Sequence, residues 1–221
     1  MNGYDFTLNG AALRAFPSGA LWWPAQRLLA VSDLHLGKSE RLARRGGAML
    51  PPYDAQDTLG RLKADIDSAA PETVLCLGDS FDDLDAAANL PEAETSLLNR
   101  VMAGRQWIWI EGNHDPGPTA FGGTHLAVLR RGPLIFRHVA EADAAGEVSG
   151  HYHPKARLSA AGQSIARPCF LLDSARLILP AYGRYTGGLN CDDPLISNMM
   201  EPGALAILTG AVARPVPMPR R

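Results

Sequence analysis

The stretch that most constrains the fold is Val74-Leu75-Cys76-Leu77-Gly78-Asp79. Four consecutive apolar residues without polar alternation predict a strand buried on both faces of a sheet. A glycine ends it, and a carboxylate stands just past its carboxyl end, the edge at which open α/β sheets bind ligands. The pattern recurs at four other places. Arg27-Leu28-Leu29-Ala30-Val31 leads to Ser32-Asp33-Leu34-His35, and Gln106-Trp107-Ile108-Trp109-Ile110 leads to Glu111-Gly112-Asn113-His114-Asp115. Leu134-Ile135-Phe136 leads to His138, and Glu147-Val148-Ser149 to Gly150-His151-Tyr152-His153. Such a chain is expected to gather Asp, Asn and His side chains at one edge.

Periodicity supplies the elements between these strands. Tyr4 to Leu8 alternates, Asn9-Gly10 is a hairpin turn signal, and Ala11 to Ala15 reads as the returning strand. Trp22-Trp23-Pro24 reads as the end of an edge strand. Leu59, Leu62, Ile66 and Ala69 have helical spacing, with Asp54 or Asp57 as the cap and Pro71 as the stop, and Ala93 to Ala103 reads as a second helix. The region 46–53, with its Gly46-Gly47 and Pro51-Pro52 pairs, reads as a loop. Helix-strand alternation to this point predicts parallel βαβ units. After residue 124 the helical pattern disappears, and Cys169 to Leu172, Leu177 to Leu179 and Ala204 to Leu208 read as further strands. Nothing linker-like divides the chain, so residues 1–221 are expected to form one domain, with the proline-marked segment 213–221 as a poorly ordered tail.

Bulk properties exclude several classes. The net charge of −2 gives no overall basic balance for nucleic-acid binding, so local clusters would have to supply it. No apolar run approaches the roughly 18 residues that span a bilayer, and Met1 to Phe16 lacks a signal-peptide pattern. Cys76, Cys169 and Cys191 are odd in number and widely spaced, which fits reduced thiols in a cytoplasm and argues against a thiolate zinc site. Imidazole, carboxylate and amide oxygen without thiolate suit Mn²⁺, Fe²⁺ or Zn²⁺.

The motifs Asp33-Leu34-His35, Gly78-Asp79-Ser80-Phe81-Asp82, Gly112-Asn113-His114-Asp115, His138 and Gly150-His151-Tyr152-His153 occur in the order that resembles the calcineurin-like metallophosphoesterase superfamily. Three stretches carry a narrower resemblance to the bacterial ligase-associated DNA damage response endonucleases: Leu28 to Lys38, Arg167-Pro168-Cys169-Phe170, and Leu179 to Gly188. The resemblance implies a four-layer α/β/β/α sandwich and two divalent ions, Mn²⁺ before Fe²⁺ or Zn²⁺. One ion would be held by Asp33, His35, Asp79 and His153, and the other by Asp79, Asn113, His138 and His151, with Asp79 bridging. It also implies a catalytic His114 that stabilises the transition state and protonates the leaving oxygen. Asp82, three residues after the bridging position, is expected to orient the His114 ring. Phosphodiester hydrolysis of DNA in repair follows by family, as does association with a ligase or helicase.

Other readings remain open at this stage. Any one His taken alone reads better as a hydrogen-bonded structural residue, and His125, which fits no motif, is read that way. Lys38, Arg41, Arg44 and Arg45 form the only dense basic cluster and read either as a phosphate-neutralising patch or as a solvated helix face. Tyr182 and Tyr185 belong to a loop that either selects substrate or simply turns. Trp107 and Trp109 read as core. A small-molecule phosphatase or cyclic-nucleotide phosphodiesterase using the same site is the enzyme alternative. A metal-free interaction scaffold on the same fold is the alternative from another class.

Overall fold

The computed structural model of the protein describes residues 2–39, 41, 53–117, 119–142, 144–160 and 163–220. The first sheet begins with the hairpin β1 (Tyr4–Leu8) and β2 (Ala11–Ala15), paired from Tyr4↔Ala15 to Leu8↔Ala11. It continues through β3 (Leu21–Trp23), β4 (Leu28–Val31), β5 (Thr73–Leu77), β6 (Gln106–Ile110) and β7 (Thr124–Leu126) in that spatial order. The pairs from β4 to β7 are parallel, as the βαβ reading predicts. Strand β3 pairs with both β2 and β4, so Trp22-Trp23 is not an edge as expected. Pro24, which cannot donate to a ladder, starts a one-turn 3-10 helix instead.

The second sheet contains β8 (Val128–Arg131), β9 (Leu134–Arg137), β10 (Glu147–Ser149), β11 (Lys155–Ala160), β12 (Gln163–Leu172), β13 (Arg176–Ile178), β14 (Leu205–Leu208) and β15 (Arg214–Pro217). Its order is β15-β14-β12-β13-β10-β9-β8, with β11 paired to β12. Strand β10 runs parallel to both β9 and β13. The expected loose tail is thus partly a strand. Pro215 and Pro217 stand two apart on the outermost strand, so both imide nitrogens face the same way, and β14 can be served by the residues between them.

Strict alternation distributes the buried strands between two cores. Leu28, Ala30, Leu75, Leu77, Ile108 and Ile110 pack toward the second sheet. Leu29, Val31, Val74, Cys76, Trp107 and Trp109 face the helices. These are α1 (Asp54–Ala69), α2 (Leu84–Ala88) and α3 (Glu92–Met102). Leu59, Leu62 and Ile66 of α1 are buried against the sheet, as their spacing predicts. Neither Asp54 nor Asp57 is its N-cap. Tyr53 holds that place, and buried Asp54 instead accepts hydrogen bonds from the backbone N–H and hydroxyl of Ser39. The fourth layer is slight. One helical turn, α4 (Pro194–Ser197), and its loops cover the outer face of the second sheet through Ile196, Met200 and Cys191. Among the described residues no helix is long and apolar enough to cross a membrane. Of the expected loop over 46–53, all but Tyr53 lies outside the described residues.

Candidate metal centre

The carboxyl ends of β4, β5 and β6 in one sheet and of β9 and β10 in the other meet at one place. Asp33 and His35 follow β4, Asp79 follows β5, and Asn113 and His114 follow β6. His138 follows β9 directly, and His151 and His153 follow β10. The chain turns sharply at each point. Asp33, His35, Asp79, His151 and His153 all have positive φ, between 45° and 71°. A side chain in this region costs of order 1–3 kcal/mol, and such strain concentrates at functional sites. The glycines between them permit close approach: a Cβ at Gly78 would lie 2.4 Å from His138 Nδ1, and one at Gly112 would lie 2.1 Å from the Asp79 nitrogen.

Three sets of donors result, each with its ligand atoms within 4.8 Å of one another: Asp33, His35 and His153; Asp79, His138 and His151; and His35, Asp79 and His114. Asp33 Oδ1 lies 3.2 Å from His153 Nε2, and Asp79 Oδ2 lies 3.4 Å from His138 Nε2. Asn113 is exposed and lines an adjoining cleft with His138.

The hydrogen bonds fix which ring nitrogens carry lone pairs. His138 Nδ1 is 2.8 Å from the Leu77 carbonyl, which can only accept, so Nδ1 carries the proton. The Nε2 lone pair then faces the Asp79 carboxylate at 3.4 Å and His151 Nδ1 at 3.2 Å. Without a cation that arrangement is repulsive unless the ring takes a second proton. Burial alone would depress the basicity of His138, but the carboxylates of Asp79 and Asp33 outweigh it and lift its pKa to about 9. Burial likewise opposes charge on Asp79, yet His138 and the His114 amide hold its carboxyl well below the usual carboxylate range. His35 Nδ1 meets Asp82 Oδ1 at 3.0 Å, turning its Nε2 toward His153 Nε2 at 3.4 Å. Lone pairs converging on carboxylate oxygens are the donor set that a divalent cation fits.

Asp82 is not placed as expected. Its fully buried carboxylate meets His35, Arg41 and, at 3.8 Å, Lys38. Burial opposes its charge, but His35, Arg41 and Lys38 together lower its pKa. His114 is held by the Asp82 backbone carbonyl, 2.9 Å from Nδ1. Lys38 and Arg41 are accordingly turned inward on Asp82, with 18% of each side chain exposed, and Arg44 and Arg45 lie outside the described residues. The Tyr182 ring is not placed to stack on a substrate: it is fully buried and donates its hydroxyl to Asp65 at 2.8 Å. Tyr185 is 45% exposed. His125 stacks on Trp109, away from the centre.

Two side chains support the ligands from behind, and one of them, Asp115, is a residue of the Gly112-Asn113-His114-Asp115 motif expected to hold the loop and not a metal. Ser32 donates its hydroxyl to Asp33 Oδ2 at 2.5 Å. Asp115 accepts from the backbone N–H groups of Asp79, Ser80, Phe81 and Gly112, which ties the loops after β5 and β6 together.

The calcineurin-like phosphoesterase family pattern matches residues 26–176, which contain every one of these donors. The chain belongs to that family. The crystal structure of Pseudomonas putida nuclease MPE superposes with a TM-score of 0.76 at 27% sequence identity, covering 97% of this chain and 100% of that one. No curated protein matches. Family membership makes the chain a phosphoester hydrolase of the metal-dependent kind, with clustered His and Asp residues that could hold the metal.

Proposed function

We propose that this phosphoesterase hydrolyses phosphodiester bonds of nucleic acid, DNA by family resemblance, with two divalent ions of which manganese is the first choice. Asp33, His35, Asp79 and His153 would hold one ion, and Asp79, Asn113, His138 and His151 the other. The observation that carries the reading is that the three donor sets form one chain: His35 links Asp33 and His153 to Asp79 and His114, and Asp79 links these to His138 and His151, with its Oδ2 facing His138 and its Oδ1 accepting the His114 backbone N–H at 2.9 Å. The full-length likeness to a nuclease supports the polymer substrate. Bound there, the ions supply a clamp on the phosphoryl oxygens and a water acidified enough to attack phosphorus.

The chain's own residues do the rest. Leu77 and Asp82 hold the rings of His138 and His35 in the tautomers that present Nε2. His114 donates Nδ1–H to the Asp82 carbonyl, which leaves Nε2 as the nitrogen that, in the doubly protonated ring, can pass its proton to the departing oxygen. Its position on the outer side of the centre, edge-on to His35 with ring centroids 5.2 Å apart, suits that role.

The deciding test is hydrolysis by metal-stripped protein titrated with Mn²⁺, using a bis-aryl phosphate, an aryl phosphate monoester and single-stranded DNA. Activity on the diester and on DNA that saturates at two equivalents of metal is the expected result. Turnover of the monoester alone would replace this reading with a small-molecule phosphatase, and a protein that takes up no metal would replace it with a binding scaffold.

The displaced role of Asp82 gives a second expected outcome. Asp82→Asn keeps the shape but removes the charge that fixes His35, and metal affinity should fall by about 10–100-fold, as for other partners of ligating histidines. Competition with a chromophoric chelator measures it. An unchanged affinity would mean that His35 needs no such partner to bind metal.

A further inference from the structure

With Lys38 and Arg41 facing Asp82, the basic cluster near residue 40 is poorly placed to meet a polyanion, at least through these two members. Another cationic surface exists that no single stretch of sequence announces. A cleft of about 230 Å³ is lined by Arg61 from α1, Lys155 from β11, and Tyr182, Arg184, Tyr185 and Thr186 from the loop after β13. Among the described residues no carboxylate lines it. Residues 61, 155 and 184 are so far apart in the chain that only the fold brings their charges together.

Arg61 is the anchored member of the set, close enough to Asp65 to favour its charge, whereas Lys155 and Arg184 are only lightly engaged. The Arg61 guanidinium lies 4.4 Å over the Tyr182 ring and donates Nη2–H to the Tyr182 carbonyl, while its buried Nε–H has no partner. Lys155 gives one hydrogen bond, at 3.3 Å, to the Thr186 carbonyl, out of the three an ammonium can donate. Arg184 pairs with Asp57 at 3.2 Å, but both side chains are more than half exposed, and exposed pairs of this kind contribute little.

The cleft adjoins the metal centre through the backbone. The Tyr182 N–H donates to Ser32 O at 2.8 Å, and the Gly183 N–H donates to Asp33 O at 2.9 Å. Lys155 stands two residues past His153. Tyr185 is held at φ 54° with its ring half exposed beside the cleft. The volume is below the roughly 300–1,000 Å³ of sites for drug-sized ligands, which suits a phosphodiester group with its base left outside. Cations that track a backbone beside an aromatic face are what a single strand recognises without regard to sequence.

We propose that this cleft binds a non-scissile phosphate of a single-stranded nucleic acid whose next phosphodiester lies at the metal centre. Arg61, Lys155 and Arg184 neutralise that phosphate, and Tyr185 stacks on the adjoining base. The proposal rests on the phosphodiesterase reading above and specifies how the polymer is held.

The test compares Mn²⁺-loaded wild type with Lys155→Ala/Arg184→Ala on an oligothymidylate and on a bis-aryl phosphate too short to reach the cleft. For the double variant, kcat/KM on the oligonucleotide should fall about tenfold, chiefly through KM, and the salt dependence should lose about one unit of slope per lost contact. The small diester should be turned over as before, and Lys155→Arg, which keeps the charge, should behave as wild type. An unchanged oligonucleotide KM and salt slope would overturn the cleft while leaving the nuclease reading intact. Equal losses on both substrates would also overturn it, since the two residues would then be supporting the metal centre. Weaker inhibition of the variant by inorganic phosphate, with no change on the oligonucleotide, would make the cleft a site for the free anion and overturn the proposal for a strand. If wild type cleaves the small diester but neither binds nor cleaves any oligonucleotide, the nucleic-acid reading falls together with the cleft.

Discussion

Asp79→Asn is expected to lower kcat/KM on a bis-aryl phosphate by about 10³-fold or more, and metal content to drop below two ions per chain. The change is nearly isosteric. Asn Oδ1 can still accept the His114 N–H that now meets Asp79 at 2.9 Å, so the turn after β5 should keep its shape. What disappears is a charge shared by two of the three donor sets. Losing several kcal/mol of electrostatic stabilisation at about 1.36 kcal/mol per decade of rate gives the expected size. Metal analysis by mass spectrometry, kinetics and a thermal melt on one preparation would separate loss of ions from loss of fold. Full occupancy with near-normal turnover would remove Asp79 from the centre of the mechanism.

His114→Ala should act differently. If the ring delivers a proton to the leaving oxygen, kcat should fall by about 10²–10⁴-fold, the usual range for a positioned general acid, while both ions are retained. The loss should be larger for DNA, whose leaving alkoxide needs the proton, than for a nitrophenyl ester, whose leaving group departs as a stable anion. The donor set that joins His114 to His35 and Asp79 makes the opposite outcome meaningful. Loss of an ion, with equal damage to both substrates, would make His114 a ligand and not a proton donor.

Much of the architecture was legible because it depends on local pattern. Unbroken apolar runs identified the buried strands, helical spacing located α1 and α3, and the Asn9-Gly10 turn set the first hairpin. The candidate site was legible as an ordered series of strand ends. What was not legible is which side chains meet. Asp82 was expected beside His114 on sequence proximity to the β5 motif, but its carboxylate reaches His35 and Arg41 instead, and only its carbonyl reaches His114. The left-handed turns at Asp33, His35 and Asp79 redirect the side chains, and nothing in the residue types announces them. The sequence leaves the Tyr182 loop open between substrate selection and a plain turn, and the ring is buried by Asp65 and Arg61 of α1, partners more than 100 residues away in sequence. The prolines of the last segment suggested disorder, although spacing two apart is what an outer strand tolerates.

The metal centre straddles the seam between the two sheets. Its donors are divided between the two sheets: Asp33, His35, Asp79, Asn113 and His114 come from the first, and His138, His151 and His153 from the second. Neither half holds a complete set for either proposed ion, so the ions would act as rivets across the seam. During synthesis the first sheet emerges well before the second. A nascent or half-folded chain would therefore carry no competent hydrolytic centre, and the protein would be harmless to the cell's own phosphodiesters until its two halves had closed on each other.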